Sequence, residues 1–437
     1  MKNIKPASEV VCCCVDFGYF LGMCRDIAPQ FKKFYYHSPT DTEFKDVTKC
    51  VMGDGIPEFE RIDDLWEPGF IEEVDLFIFP DLDFGSVQRR LRQMGKAVWG
   101  SMGASDIEMS RTGFLKMVTD LGLPTIPYKV ITGMSALIDH LKTVEDKWVK
   151  VNRYRAQTET FYHMKYDQSQ SKLDSLAVIF GGVKEQVVFV VQDHIKTERE
   201  IGYDGWVIDG QYPDKSYAGY ELKNELYLGS LWPYKELPKE VQEINASMER
   251  VFKEYGYRGF FSSEIRPTDD GQAYFIDPTM RMAGLTMEHQ GTNCENLAEV
   301  IWQGANGVLI SPEFKHKFAA QATIHHDDHE DGLWKCFFMP EGAEKFIKLS
   351  NFCMVDGLYW FPPGATDEIG VVIGLGDTVE EAIENLMENF DLIQKQPVSI
   401  AADKFKELLE SIEAAEAAGS KFSPDPIPSA EELQRVL

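Results

Sequence analysis

Two strand-like segments and a tight turn predict a β-hairpin near residue 270. Residues 259–265 and 273–277 are rich in residues that favour strands, and the turn Pro267-Thr-Asp-Asp-Gly271 joins them. Proline, aspartate and glycine in this order are a strong signal for a hairpin turn. Pairing of the two segments would bring the carboxylates of Glu264 and Asp277 side by side on neighbouring strands.

The end of this hairpin combines oxygen ligands with a positive charge. Thr279 lies two residues after Asp277, so in an extended chain both side chains face the same side. Such oxygens suit Mg²⁺, which takes one or two carboxylates and completes its shell with water and phosphate oxygens. The guanidinium of Arg281 would hold a phosphoryl group or a carboxylate bidentately. Taken alone, the same residues also fit an exposed hairpin with ordinary acidic side chains.

The charge balance narrows the classes of partner. Among 437 residues, Lys and Arg number 44 and Asp and Glu number 71, so the formal net charge is 44 − 71 = −27. No block of Lys or Arg offsets this charge, which argues against nucleic acid or an anionic membrane as a partner. Small anionic substrates are compatible with this net charge if basic residues line a cleft. We expect two or three domains, in a monomer or a homodimer.

The cysteines predict a reducing compartment. None of the eight belongs to the doubled pairs typical of zinc sites, and Cys12, Cys13 and Cys14 lie in an apolar run that suits a buried strand. Asp16 and Arg25 interrupt the N-terminal apolar run, which argues against a signal peptide. No segment approaches the roughly 20 apolar residues that span a bilayer. We therefore expect a soluble cytoplasmic protein.

Strand and helix signals alternate along the first hundred residues. Strands are expected at 10–15, 34–37, 74–79 and 97–100. Alternation of this kind predicts a doubly wound parallel sheet. Because ligands of such sheets bind outside the carboxyl ends of the strands, we expect a binding edge around Asp16–Gly18, Ser38 and Pro80–Asp83.

The rest of the chain predicts an α+β region followed by a mostly-β one. Further strands are expected at 128–131, 148–151, 186–192, 200–208 and through most of 319–376, and further helices at 135–141, 236–256 and 292–306. Gly122 and Pro124 end a helix over 106–123, and either Asp377 or Thr378 is the N-cap of a later helix. Residues 403–437 predict a charged helix and a Pro/Ser segment at the periphery.

Four motifs in order carry a resemblance to a known superfamily. They are Ser110-Arg-Thr-Gly-Phe-Leu-Lys-Met117 with Gly122-Leu-Pro-Thr125, Trp148-Val-Lys-Val151, Ile276-Asp-Pro-Thr-Met-Arg281 and Ile373-Gly-Leu-Gly-Asp-Thr-Val-Glu-Glu-Ala382. Together they resemble the ATP-grasp superfamily, and most closely its glycinamide ribonucleotide synthetase branch, over roughly residues 8–395. The third motif is similar to the family's E-x-N-x-R metal motif.

The resemblance implies a fold that combines α/β and α+β parts. A doubly wound pre-ATP-grasp domain would precede a two-subdomain ATP-grasp domain, and a small mostly-β domain would follow. The implied bounds are 1–105, 106–305 (subdomains about 106–190 and 195–305) and 306–395, with a helical and Pro/Ser tail at 396–437.

The same resemblance implies an activity and its cofactors. ATP would lie between the two subdomains, with Mg²⁺, or Mn²⁺ as an alternative, on its phosphates. Enzymes of this kind phosphorylate a small-molecule carboxylate to an acyl phosphate, which an amine or a related nucleophile then attacks. Catalysis in that scheme is mainly positioning and charge neutralisation.

Residue roles follow from the matched positions. The resemblance implies phosphate contacts from Lys150 and Arg111, adenine contacts from the hinge residues Gln192, Asp193 and Ile195, ribose contacts from Glu198 or Glu200, metal ligation by Glu264, Asp277 and Thr279, and a phosphoryl or acyl-phosphate contact from Arg281. Glu198 and Glu200 lie two apart on an extended segment, so the sequence leaves the choice between them open.

Three departures from the family pattern change the expected substrate. The family's glycine-rich phosphate loop corresponds to Asn152–Thr160, which contains no glycine. Arg153 and Arg155 would there either replace backbone donors or line the acceptor site. The family's N-terminal turn and sugar-phosphate motif are replaced by Asp16–Leu21 and Phe79-Pro-Asp81. We therefore expect a ligase with a different acceptor, or alternatively a nucleotide-binding protein without catalysis that has a regulatory or assembly role.

Overall fold

The structure, a computed structural model, describes residues 4–39, 51–153, 160–197, 199–327, 333–363, 367–433 and 435. Its N-terminal part contains strands β1 (Val11–Val15), β2 (Lys33–His37), β3 (Glu60–Ile62), β4 (Leu76–Ile78) and β5 (Ala97–Trp99), and helices α1 (Leu21–Ile27), α2 (Phe70–Glu73) and α3 (Gly85–Gln93). The strands form one parallel sheet in the order β3-β2-β1-β4-β5. The parallel α/β sheet expected from the sequence is confirmed, with β3 as a strand that the sequence did not predict.

The cysteine-rich strand β1 is the centre of this sheet. Cys12, Cys13 and Cys14 have no exposed surface. Burial raises the pKa of the Cys14 thiol to about 11, so this thiol stays protonated at neutral pH. The cysteines of β1 are therefore core residues, as their apolar surroundings predicted.

A smaller antiparallel sheet follows. The chain runs through α4 (Ser105–Met109), α5 (Arg111–Asp120), β6 (Tyr128–Thr132), α6 (Met134–Leu141), β7 (Lys147–Val151), β8 (Thr160–His163), α7 (Tyr166–Phe180) and β9 (Val188–Asp193). The four strands pair in the order β6-β9-β7-β8. Leu137, Leu173 and other apolar residues of α6 and α7 cover one face of this sheet.

The helix predicted over 106–123 is broken in two. Ser110 separates α4 from α5, and its hydroxyl accepts a hydrogen bond from the amide of Gly113 at 3.2 Å. Serine favours this N-cap position over a helix interior because its hydroxyl can satisfy an end amide that has no partner within the helix. The predicted end of the helix is confirmed, since Gly122 adopts the left-handed conformation that ends helices.

The largest sheet has nine strands, which come from residues 201–399. Its region contains β10 (Ile201–Ile208), β11 (Lys215–Leu222), β12 (Leu226–Pro233), α8 (Lys239–Tyr255), β13 (Arg258–Pro267), β14 (Ala273–Thr279), α9 (Glu288–Asn293), α10 (Leu297–Ala305), β15 (Phe318–His326), β16 (Lys335–Phe337), β17 (Ile347–Leu349), β18 (Cys353–Val355), β19 (Leu358–Phe361), β20 (Glu368–Gly376), α11 (Val379–Asp391), β21 (Val398–Ser399), α12 (Phe405–Ala417) and α13 (Ala430–Leu433). The strand order is β14-β13-β10-β11-β12-β15-β20-β17, with β21 paired to β15. Strands β16, β19 and β18 form a separate small sheet.

The predicted hairpin is formed by β13 and β14. The two strands are antiparallel, and Glu264 lies directly opposite Asp277. Phe261 and Ile265 alternate with Glu264 and belong to the core that includes the buried side of α8. Helix α8 therefore covers one face of the hairpin and leaves the carboxylate face to the rest of the site.

The C-terminal tail is not peripheral, and that expectation was wrong. Phe405, Leu408, Leu409 and Ile412 of α12 are at most 2% exposed and belong to the main core. Their spacing along α12 gives the helix one apolar face, which packs against the large sheet. The later helix begins where expected, and of the two candidate N-caps Thr378 is the one whose side chain caps it.

The large sheet includes strands from both sides of residue 305, the expected boundary between the second and third domains. Strand β15 pairs with β12 on one side and with β20 on the other. The proposed domain bounds stay a prediction. Across the described ranges, no helix is both long enough and apolar enough to cross a membrane.

Candidate active site

The carboxylate face of the hairpin carries four oxygen-bearing side chains. Ser262 lies opposite Thr279, one pair beyond the Glu264–Asp277 pair. Residues two apart in a strand share a face, so all four side chains lie on the same side of the sheet. The side chains of Glu264 and Asp277 are 35% and 29% exposed, which leaves both within reach of a ligand.

Arg111 contacts one of these carboxylates. It is the first residue of α5, and its Nη1 donates to Oδ1 of Asp277 at 2.5 Å. The next amide, that of Thr112, donates to the side chain of Asn152 just after β7. The beginning of α5 thereby joins the end of the lysine strand to the hairpin. The beginning of α5 lies between the small four-stranded sheet and the large sheet, which were expected to hold the nucleotide.

Arg266 contacts the other carboxylate and was missed from the sequence. Its Nε donates to Glu264 at 3.1 Å, and its Nη2 donates to Glu200 at 2.6 Å. Partial burial and the nearby charge of Glu264 raise the pKa of Glu200, while Arg266 opposes this shift. The available signal was the alternation along β13, which puts Arg266 on the same face as Glu264.

Arg281 is held by carboxylates from two other elements. Its Nε lies 3.3 Å from Glu108 of α4 and 3.6 Å from Asp81, just after β4. Glu108 is 3% exposed and also accepts the amide of Met280 at 2.7 Å. Burial by itself lowers the pKa of Arg281, but the two carboxylates reverse the effect and keep the guanidinium charged. Glu108 was not predicted, because nothing in a helical segment distinguishes it from a surface glutamate.

Helix α4 also contacts the segment that replaces the family's phosphate loop. Nη1 of Arg153 lies 3.9 Å from Asp106. Arg153 adopts the left-handed backbone conformation, which is uncommon for residues other than glycine. Arg155 and the rest of the loop from 154 to 159 lie outside the described residues.

Two of the predicted nucleotide residues of the small sheet, Lys150 and Gln192, share one face. Gln192 lies opposite Trp148, which is two residues from Lys150 on β7, so the three side chains point to the same side. Gln192 is 5% exposed. Asp193 points away from them and accepts a hydrogen bond from Lys147 at 2.7 Å, a partner that the sequence did not suggest.

The hinge continues into the connection between β9 and β10. Ile195 is half-buried there. Glu198, one of the two ribose candidates, lies outside the described residues. The other candidate, Glu200, is the one that the structure connects to the hairpin, through Arg266.

A buried polar network extends the same face of the large sheet. Asp204 accepts hydrogen bonds from the hydroxyls of Ser262 at 2.6 Å and Tyr227 at 2.8 Å. Asp204 is 9% exposed, and burial raises the pKa of its carboxyl although both hydrogen bonds oppose the shift. This network fixes the hydroxyl of Ser262, which lies opposite Thr279. The sequence did not predict the network, because its members come from three separate strands.

The hairpin residues fit a hard divalent cation by their chemistry. Two carboxylates and one hydroxyl are an oxygen-only donor set of the kind that Mg²⁺ prefers. Arg111 and Arg266 already bring positive charge to both carboxylates. No group of three or more His, Cys, Asp or Glu side chains among the described residues has the arrangement of a metal site. The fit therefore depends on two carboxylates, with a ligand such as a phosphate completing the shell.

The carboxyl end of β1 differs from a phosphate-binding turn. One oxygen of Asp16 accepts the amides of Gly18 and Phe20, each at 3.0 Å, and the hydroxyl of Tyr36. Burial, with the nearby charge of Asp81, raises the pKa of Asp16 to about 6. Two backbone amides of this turn are thus already bonded to a carboxylate.

The chain is similar in architecture to solved structures of known enzymes. A phosphoribosylamine–glycine ligase from Thermotoga maritima has a TM-score of 0.64 at 14% identity, covering 90% of this chain and 98% of that one. A biotin carboxylase from Campylobacter jejuni, in a β-γ-ATP complex, has a TM-score of 0.59 at 13% identity, covering 90% and 93%. An N5-carboxyaminoimidazole synthetase from Staphylococcus aureus, complexed with ADP, has a TM-score of 0.56 at 10% identity, covering 89% and 99%.

These neighbours share the ATP-grasp fold, and the chain has that fold, as its sequence predicted. At identities this low the likeness establishes the architecture. No protein-family model matches the sequence, and no curated protein matches it.

Proposed function

We propose that this protein is an ATP- and Mg²⁺-dependent ligase that joins a small-molecule carboxylate to an amine or a related nucleophile. One observation carries the proposal. Glu264 and Asp277 lie opposite each other on the hairpin, and Arg111 reaches Asp277 from the helix that lies between the two sheets. Paired carboxylates beside a buried guanidinium suit a site for a metal-bound polyphosphate.

The nucleotide would be held from both sheets. Lys150 and Arg111 would bind its phosphates, Gln192, Asp193 and Ile195 its adenine, and Glu200 or Glu198 its ribose. Glu264, Asp277 and Thr279 would hold Mg²⁺, or Mn²⁺ in its place. When bound, this ion neutralises phosphate charge. That two similar structures contain ADP or a β-γ-ATP ligand supports nucleotide binding by this fold.

The chemistry assigned to the remaining residues is positioning and charge neutralisation. A carboxylate oxygen of the substrate attacks the γ-phosphorus of ATP, and ADP leaves, which gives an acyl phosphate. An amine then attacks the acyl carbon, phosphate leaves, and the amine nitrogen loses a proton. Arg281, fixed by Glu108, would hold the phosphoryl group along this path, and Arg153 and Arg155 would add charge from the loop.

The acceptor differs from phosphoribosylamine in this proposal. A sugar phosphate at the end of β1 would need backbone amides as donors. The amides of Gly18 and Phe20 are already bonded to the carboxylate of Asp16, which also adds negative charge there. The products of this ligase would therefore lie outside glycinamide ribonucleotide synthesis.

A second candidate function is nucleotide binding without catalysis, in a regulatory or assembly role. The observation that favours it is the ion pair on each hairpin carboxylate, Arg111 with Asp277 and Arg266 with Glu264. If these pairs persisted with ATP bound, the carboxylates would be unavailable to a metal, and phosphoryl transfer would lack its main source of positive charge.

Release of ADP distinguishes the two functions. Purified protein is incubated with MgATP and pooled small carboxylates and amines, and ADP is measured for wild type, Asp277→Asn and Asp269→Asn. Asp269 is an exposed residue in the turn of the same hairpin and serves as the matched control. We expect wild type and Asp269→Asn to release ADP with some mixture, and Asp277→Asn to be slower by about 100-fold, the range seen when a charge-stabilising group is lost.

Equal and slow ADP release by all three proteins in every mixture would remove the ligase proposal. Thermal unfolding with and without MgATP then tests the second candidate, because a ligand that binds the folded state stabilises it. The absence of any shift with a nucleotide would remove both.

A further inference from the structure

One carboxylate oxygen at the carboxyl end of β1 is buried without a hydrogen bond. Oδ2 of Asp16 accepts the amides of Gly18 and Phe20 and the hydroxyl of Tyr36, each at 3.0 Å. Oδ1 of the same carboxyl is buried and accepts no hydrogen bond from any described residue. Such an oxygen is costly, because it lacks both water and a donor. It therefore marks a place for a ligand that donates a hydrogen bond.

A second polar group of the same kind lies beside Asp16. Val15 and His37 are paired at the ends of β1 and β2. The residues that follow them, Asp16 and Ser38, are therefore neighbours on adjacent strands. Ser38 is two residues from Tyr36, whose hydroxyl reaches Asp16, so both side chains lie on the same side of the sheet. The Ser38 hydroxyl is buried, and no described residue forms a hydrogen bond with it.

The charge at this place selects the sign of the ligand. Burial, together with the charge of Asp81 just after β4, raises the pKa of Asp16 to about 6, so its carboxyl is ionised at pH 8. Its hydrogen bonds come from two amides and a phenol, and none comes from a cationic side chain among the described residues. An anion would be repelled here. A cation with N–H donors would supply both the charge and the hydrogen bonds that the buried groups lack.

The same edge of the sheet adjoins the residue proposed to hold the phosphoryl group. Pro80 follows β4 and lies beside Asp16 in the parallel register. Its carbonyl accepts the amide of Met282 at 2.9 Å. The residue before Met282 is Arg281, whose Nε lies 3.6 Å from Asp81. A molecule bound at Asp16 would thus lie next to the segment that carries Arg281.

We propose that the acceptor of the ligase is a primary amine, bound as its ammonium ion by the carboxylate of Asp16 with the hydroxyl of Ser38 beside it. This inference rests on the proposed function and deepens it, since it names the class of acceptor and adds two residues that bind it. An ammonium group has three N–H donors, and Oδ1 of Asp16 and Oγ of Ser38 each accept one of them.

Binding of methylammonium, the smallest primary alkylammonium ion, tests the proposal. Saturation-transfer NMR follows its methyl group with full-length protein at pH 8 and constant ionic strength, without nucleotide, for wild type, Asp16→Asn and Asp63→Asn. In Asp16→Asn one oxygen remains for the amides and the phenol, and an NH₂ group replaces the unbonded oxygen. Asp63 follows β3 at the same edge of the sheet and is 89% exposed, so its variant loses the same charge at the surface.

Wild type and Asp63→Asn should bind methylammonium with a dissociation constant of the order of 10 mM, near the limit for a ligand of two heavy atoms. Asp16→Asn should bind at least about tenfold more weakly. Tetramethylammonium has the charge without N–H donors, and methanol has the size without the charge, so neither should show saturable binding to wild type.

The absence of saturable methylammonium binding by wild type would overturn the proposal, and this result needs no variant. Equal binding by wild type and Asp16→Asn, or of methylammonium and tetramethylammonium, would also overturn it. If circular dichroism shows that Asp16→Asn does not fold, Ser38→Ala replaces it, with weaker binding expected. Failure of the proposed function appears separately, as the absence of stabilisation by MgATP in wild type.

Discussion

Glu288→Gln should make the protein more stable at neutral and alkaline pH. Glu288 begins α9 and is 1% exposed. Burial raises the pKa of its carboxyl to about 8, the charge of Asp26 acts in the same direction, and Lys348 opposes the shift. Lys348 is already bonded to Asp26 at 2.6 Å, which limits its help to Glu288. Ionised Glu288 is therefore poorly compensated in the folded protein.

The sign and the size of the effect follow from proton linkage. The carboxyl releases its proton near pH 4.5 in the unfolded chain and near pH 8 in the folded protein. Between these values the folded state holds a proton that the unfolded state has lost, so the free energy of unfolding falls as pH rises. Each pH unit costs about 1.4 kcal/mol, so the loss at pH 7 is roughly 3 kcal/mol. Glutamine cannot ionise and should avoid this loss.

Urea unfolding of wild type, Glu288→Gln and Glu295→Gln at pH 5 and pH 8 measures the difference. Glu295 is an exposed glutamate just beyond α9 and controls for the loss of one negative charge. Glu288→Gln should match wild type closely at pH 5 and exceed it at pH 8, with Glu295→Gln close to wild type at both. A variant no more stable than wild type at pH 8 would refute the reasoning, because it would mean that the buried carboxylate is compensated.

Two further outcomes follow from the packing and from the Arg281 contacts. Glu108→Gln removes the buried charge beside Arg281 and should slow ADP release at least about tenfold. Asp120→Asn, at the exposed end of α5, should leave ADP release near the wild-type rate. Equal rates for the two variants would show that Glu108 does not hold Arg281 for catalysis. Phe405→Ala should lower the free energy of unfolding, measured with urea, by about 3–5 kcal/mol, the cost of emptying a buried aromatic site. Lys406→Ala, on the exposed face of α12, should lower it by less than about 0.5 kcal/mol. Equally small effects of both substitutions would mean that the tail only touches the surface.

Helices α4 and α5 connect most of the site. Glu108 of α4 holds Arg281, and Arg111 of α5 holds Asp277. Ser110 separates the two short helices, and the contacts of Glu108 and Arg111 come from either side of this break. The same few residues thus join the hairpin to the N-terminal sheet and to the lysine strand. Substitutions in this segment should affect several functions of the site at once.

The sequence by itself determined the local parts of this protein. The hairpin was predicted because a turn between two strand-like segments can form only a few structures, and its pairing brought Glu264 and Asp277 together. The strand positions and the helix end at Gly122 follow from short-range preferences of the same kind. Four motifs in order along the chain carried the resemblance that predicted the ATP-grasp fold.

Only the tertiary structure decided which charges meet. Arg111 and Asp277 lie 166 residues apart in the chain, and Glu108 and Arg281 lie 173 apart. The burial of Phe405 likewise depends on a sheet assembled from distant strands. Periodicity and turn chemistry act over a few residues, whereas these contacts depend on how whole elements pack, so the same sequence pattern would fit an exposed side chain or a buried ion pair.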